Sequence, residues 1–330
     1  MAWLISGMVS PLFAASLFEE NAALEIELTG PFWSLIDNKN DRNELPFALS
    51  YETFELDLTV RTRGNSRLRI CSFPPLRLNF NKADSVGTVF EGQDKLKLVT
   101  RCMKDDRYEK DVLEEYAAYR IFSLLTDVSY RVRLVHLTFN DTDGRLKKAY
   151  RQSYGFLIEP DDQLLSRVGG SLSELAGVSL RQLDENQAAL VYVFQYLIAN
   201  TDWSFVTAEQ DEHCCHNIEL INMGTKHYPI PYDFDLAGLV NAAYAKPDPS
   251  LKIKKVSKRL YRGFCTDTEV LREALRRITA KEKEILQIIT ALPLYSEREK
   301  ERRIEYLMAF FRNAQEEEKM ISSFERYCHP

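Results

Sequence analysis

Four polar side chains in one stretch of the chain have the types and spacing that phosphoryl transfer requires. Asp202 stands in a polar loop, Asn217 just before an alternating apolar segment, and Asp233 and Asp235 just after a second one. Moving a phosphoryl group needs little covalent chemistry from a protein. It needs a carboxylate that orients the attacking hydroxyl or accepts its proton, and oxygen ligands that hold a divalent cation against the phosphates. Magnesium takes hard oxygen donors, which Asp and Asn supply. A lone aspartate in a loop is ordinarily a cap or turn residue. Three such residues placed around one expected hairpin, after an apolar helix, are less easily assigned to turns. Asp235 is two residues beyond Asp233, so in an extended segment both point the same way. It is either a further ligand or a cap for the next segment.

The elements around these residues follow from periodicity. Phe54 to Val60 alternates with period two, as a half-buried strand does, and Arg63-Gly64-Asn65-Ser66 after it reads as a turn. Pro75 to Phe80 and Lys95 to Val99 alternate again, placing Arg77, Lys95 and Lys97 on strands with an apolar opposite face. From Asp106 to Leu125 the period becomes helical, with Leu113, Ala117, Ile121 and Leu124 on one stripe. Strands follow at Val132–Phe139 and Tyr154–Glu159, separated by the turn Asn140 to Gly144. Leu183 to Ala199 predicts an apolar helix capped by Asp184. Ile218–Ile221 and His227–Ile230 flank Asn222-Met223-Gly224 and predict a hairpin, which would fold Asn217 and Asp233 toward one another. From Thr268 onward the pattern is charged and helical. The order predicts an α+β chain with two lobes: a small, mainly β lobe with one helix (19–160) and a larger helical lobe (161–330).

Composition sets outer limits. The 330 residues are 45% hydrophobic and 28% charged, with 43 Lys and Arg against 49 Asp and Glu, a formal charge of -6. That balance argues against general nucleic-acid binding, which needs a positive surface. Residues 1–18 are apolar, with small residues at Ala14, Ala15 and Ser16, and they predict a signal peptide and an exported protein: periplasmic, envelope-bound or secreted. If they are not a signal, the chain is cytoplasmic. Six cysteines fit disulfides in an exported chain. Cys71 and Cys102 flank the Pro75–Val99 strands, and their pairing is expected to close a loop of about 30 residues and contribute about 3 kcal/mol. The run His213-Cys214-Cys215-His216 invites a zinc reading, but four consecutive residues do not easily converge on one ion. The lysines and arginines from Lys252 to Arg262 read as a solvated face; lying after Asp233, they would favour an acidic partner if functional.

Asn200-Thr201-Asp202, His216-Asn217 and Pro231-Tyr232-Asp233-Phe234-Asp235, together with Arg63-Gly64-Asn65-Ser66, resemble the core of the spore-coat CotH-type atypical kinases, and more distantly that of HipA-type kinases. The resemblance covers roughly residues 55 to 240. It implies a protein-kinase-like fold, ATP and magnesium or manganese as cofactors, and phosphorylation of a hydroxyl, most simply on a protein. By the same resemblance Asp202 is the catalytic base, and Asn217 and Asp233 bind metal, joined by Asp235. Gly64, Asn65 and Ser66 present backbone amides to phosphate. Lys97 is the phosphate-binding lysine, with Arg77 and Lys95 as alternatives. Its glutamate partner is Glu115 by alignment to the family, whereas helical spacing favours Glu114. The gap from Asp202 to Asn217 is longer than the family's and carries Cys214-Cys215. A pseudokinase that binds nucleotide without transfer, or an envelope protein that keeps only the scaffold, shares the same motifs.

Overall fold

The alternating segments of the first half close into a barrel. The computed structural model describes residues 17–175, 177–206 and 214–330. The first half holds β1 (Leu24–Gly30), α1 (Phe32–Asp37), β2 (Leu45–Tyr51), β3 (Phe54–Thr62), α2 (Ser66–Ile70), β4 (Leu76–Phe80), β5 (Lys95–Val99), α3 (Arg107–Leu125), β6 (Val132–Asp141) and β7 (Gln152–Ile158). The strands run β1-β2-β3-β4-β5-β7-β6 around the barrel, and a parallel pairing of β6 with β1 closes it. Closure removes the free sheet edges. Leu28, Leu49, Val60, Leu78, Leu98 and Leu137 are among the side chains that fill the interior.

This corrects the expected first lobe. β1 and β2 lie outside the segments assigned from periodicity, and they turn an open strand run into a closed seven-stranded barrel. The helix α3 is not a one-sided cover either. Thirteen of its nineteen residues are buried, including Glu109, Asp111, Glu114 and Glu115. It lies between the outer face of β7 and the helices of the second half, and its apolar residues belong to the second core rather than to the barrel's. The apolar stripe seen in sequence is therefore only one of two packed faces.

The second half holds α4 (Asp161–Val168), β8 (Ser171–Leu172), α5 (Glu185–Leu197), β9 (Ile218–Met223), β10 (Lys226–Pro231), α6 (Thr268–Thr279), α7 (Glu282–Thr290), α8 (Glu297–Ala314) and α9 (Glu317–Tyr327). Asp184 caps α5 by accepting from the Gln187 amide at 2.8 Å. Residues Met223 and Lys226 pair across a two-residue turn, where Gly224 takes φ +69°. β10, β9 and β8 form a small antiparallel sheet in that order. No helix among the described residues is long and apolar enough to cross a membrane. Of the expected signal segment only Leu17 and Phe18 are described, and both are buried against the barrel core.

All six cysteines are paired: Cys71–Cys102, Cys214–Cys215 and Cys265–Cys328. Three cysteine pairs fit an oxidising compartment. The Cys214–Cys215 pairing removes both thiolates from a zinc site, and His213 lies outside the described residues. The first disulfide ties the end of α2 to the end of β5, and the Phe73 amide donates to the Cys102 carbonyl beside it at 3.0 Å. With its cysteines 31 positions apart in sequence it should stabilise the fold by about 3–4 kcal/mol. A non-reducing digest is expected to release the Cys71 and Cys102 peptides as one linked species; recovering both as free thiols would overturn the pairing.

Candidate functional site

The four polar residues singled out from sequence line one cleft, between the barrel and the second half. Its volume is about 390 Å³. Asp202, Asn217, Asp233 and Asp235 line it together with Gly64, Asn65, Ser66, Lys97 and Glu115. Local structure explains how each gets there. After α5, Ala199 takes φ +51° and turns the chain out of the helix. Asn200 is buried and its Oδ1 accepts from the Asp202 amide at 3.0 Å. The β9–β10 register places Ile218 opposite Pro231, and the Tyr232 amide donates to the Asn217 carbonyl at 3.1 Å. Asn217 and Asp233 therefore flank the open end of the hairpin. Both take positive φ, 53° and 57°, a region that Asn and Asp enter more readily than other non-glycine residues.

Asp202 sits in a small polar network. The Asn217 side-chain amide donates to its carbonyl at 2.7 Å and to Oδ2 at 2.9 Å. His216 Nε2 lies 3.1 Å from Oδ1. With its nitrogen turned to Asp202, the Asn217 amide keeps its oxygen as the donor for a cation. The Asp233 side chain is 43% exposed to the cleft. One amide oxygen and one carboxylate fit magnesium, which keeps water and phosphate oxygens in the rest of its shell. Asp235 does not fit. Its side chain is 8% exposed, and Oδ2 already accepts from Arg67 Nε at 3.1 Å and from the Tyr244 hydroxyl at 2.9 Å.

Arg67 is the residue that sequence reasoning missed. It comes from α2, directly after Arg63-Gly64-Asn65-Ser66, and it is buried. Besides Asp235, Nη2 meets Glu115 Oε1 at 2.7 Å and Asp233 Oδ1 at 2.8 Å. One guanidinium thus bridges three carboxylates from two distant parts of the chain, α3 and the segment after β10. Burial alone would lower the Arg67 pKa, but Asp235, Glu115 and Asp233 hold it well above its ordinary value. Burial raises Glu115 to about 8 against the pull of Arg67, with Asp235 and Asp233 adding to the rise. Burial likewise raises Asp235 to about 6. The signal was present in the sequence as the arginine that follows the turn, but a turn alone gave no reason to carry it into the cleft.

The expected lysine–glutamate pair is not formed. Lys97 projects from the outer face of the barrel toward Tyr130, 5.6 Å from its ring, and Nζ meets Asp161 Oδ1 at 3.3 Å. Its neighbours Leu96 and Leu98 fill the barrel. Burial lowers the Lys97 pKa, and Asp161 opposes this. Glu115 is left to Arg67. Glu114 faces the opposite way, taking donors from Tyr295 at 2.8 Å and from Arg303. Arg77 pairs with Lys97 across the β4–β5 ladder, but it lines a neighbouring hollow with Lys95 and Asp162 rather than the main cleft. Arg63 adds another cation to the cleft wall.

No family model and no curated protein sequence matches the chain. Among solved structures, one similar chain is a Helicobacter pylori proinflammatory kinase, CtkA, at 12% identity and a TM-score of 0.38, covering 74% of this chain and 90% of that chain. Likeness at that level carries no argument.

Proposed function

We propose that the chain is a CotH-like phosphotransferase with a two-lobed, kinase-like arrangement, moving the γ-phosphate of ATP to a hydroxyl. The observation that carries this is the meeting of Asp202, Asn217 and Asp233 in one cleft whose lining also holds the cations Arg63, Arg67 and Lys97. Asp202 accepts the hydroxyl proton and is oriented by Asn217 and His216. Asn217 and Asp233 would hold magnesium, which supplies charge to the phosphates when bound. The acceptor O–P bond forms as the bond from the γ-phosphorus to the bridging oxygen breaks; ADP carries off that electron pair, and the proton leaves through Asp202. Arg67 stands beside Glu115 where the resemblance places a lysine, and Lys97 reaches the phosphates from the barrel wall.

The first test is transfer of labelled γ-phosphate from magnesium-ATP by the full chain to a mixture of hydroxyl-bearing peptides. Incorporation that requires the metal supports the proposal. Thermal stabilisation by magnesium-ATP with no transfer supports nucleotide binding alone. One observation favours that second reading: Arg67 occupies Asp233 and Asp235 at once, so the metal must share Asp233 with a guanidinium.

Lys97→Ala is expected to raise the nucleotide Kd by about tenfold or more, because a charge-assisted hydrogen bond contributes about 1.5–3 kcal/mol. Its stability cost should be small, since the Lys97–Asp161 pair is partly exposed. Calorimetric titration with magnesium-ATP measures this. An unchanged Kd would remove Lys97 from the phosphate site.

A further inference from the structure

The loop between Leu251 and α6 carries Lys252, Lys254, Lys255 and Lys258, all four exposed. None of them forms an ion pair with a described residue. The helices beyond behave differently: Arg272, Arg276, Lys281, Lys300 and Arg312 all pair with glutamates. In a chain with formal charge -6, four exposed ammonium groups within seven residues make a local field of the opposite sign.

The position of this loop is fixed by its two arginines. Arg262 Nη1 donates to the Thr201 carbonyl and, at 3.0 Å, to that of Trp203, so it clasps the residues on both sides of Asp202. Arg259 donates to the Leu197 carbonyl at the end of α5 and to the Tyr306 carbonyl on α8. At Gly238 a Cβ would meet the Val256 carbonyl at 2.5 Å, so the segment after Asp235 lies flush against the lysine loop. The arginines are spent on anchoring, while the lysines stay exposed to solvent.

We propose that this loop docks the acceptor, and that the acceptor is a polypeptide with Asp or Glu residues close to its reactive hydroxyl. The inference rests on the phosphotransferase reading and names its substrate class. Arg262 ties the C-terminal end of this loop to the residues on either side of Asp202, so an extended peptide held by the lysines can continue toward the base. A bilayer surface cannot follow the chain into a cleft. A nucleic acid carries a charge on every nucleotide and would meet the acidic remainder along its length, whereas a peptide needs acids only where the lysines are.

The test uses the full chain and a labelled serine-containing peptide flanked by glutamates, compared with its glutamine counterpart. Fluorescence anisotropy is expected to show the acidic peptide binding on the order of tenfold tighter, with the difference fading as salt screens the charges. The quadruple variant K252E/K254E/K255E/K258E should lose that preference while melting like the parent. In the transfer assay it should raise KM for the acidic peptide and leave kcat in place. Equal binding of the two peptides, or no change in the quadruple variant, overturns the proposal. So does an oligonucleotide or an anionic vesicle that displaces the acidic peptide at lower concentration. Selective binding without any transfer leaves the docking surface standing and removes the phosphotransferase reading. Transfer with the same KM for both peptides does the reverse.

Discussion

Asp233→Ala loses magnesium-dependent nucleotide binding, while Asp202→Ala keeps that binding and loses transfer by about 10²–10⁴-fold. The two outcomes differ because the residues act on different charges. Removing a metal ligand removes the cation that neutralises the phosphates; removing the base leaves the cation in place. Neither change should cost much stability, since the Asp233 side chain is 43% exposed and the Asp202 side chain 36%. Arg67 keeps Glu115 and Asp235 as partners when Asp233 is gone. The measurement is a pair of purified variants, each examined for melting temperature, ATP binding with and without magnesium, and phosphate incorporation. Two folded variants that bind and transfer like the parent would take both residues out of the reaction.

Arg67→Ala is expected to destabilise the fold by about 3–5 kcal/mol, the usual cost of leaving a buried charge without its partner. The change strands Glu115 and Asp235, with side chains 3% and 8% exposed. The loss should depend on pH. Glu115 is held at about 8 in the folded chain against an ordinary 4.5, and Asp235 at about 6 against 3.8. The folded state therefore binds more protons than the unfolded state between those limits, and stability falls as pH rises through them. Without Arg67 these acids are harder still to ionise, so the deficit should be larger at pH 8 than at pH 5, where protonation relieves it. Arg67→Lys keeps the charge but cannot fork across three carboxylates, and should fall between the two. Urea melts of the parent and both variants at the two pH values measure the effect. A deficit that is absent, or equal at both pH values, would mean that the three acids do not depend on this guanidinium.

Much of the site could be read from sequence because it is local. Asp202, Asn217 and Asp233 are placed by one helix end and one hairpin, and both carry strong short-range signals: the Asp184 cap, the alternation of β9 and β10, and the turn at Gly224. Cys71–Cys102 was legible for the same reason, since the two cysteines close adjacent strands. What escaped depends on distant partners. Arg67 acquires its role only when α2, α3 and the segment after β10 come together across 48 to 168 residues of chain. Lys97 lies on the expected strand, yet which acid it meets is decided by α4, through Asp161. Barrel closure escaped because β1 pairs with β6 more than a hundred residues away, as in Leu28 with Phe139, and alternation along one strand does not reveal its neighbours.

The burial of α3 on both sides has a consequence for how the molecule comes apart. The helix packs on β7 yet contributes Leu113, Ile121 and Phe122 to the core of the second half. A cut near residue 160 would leave that apolar surface facing water on a fragment that ends with β7. The two halves therefore make one cooperative unit rather than two autonomous modules, and loss of either takes the other with it. The cleft lies on the seam of that unit, and Glu115 stands on the helix that both sides share. Wide opening of the cleft would then have to expose apolar surface on one face of α3 or the other.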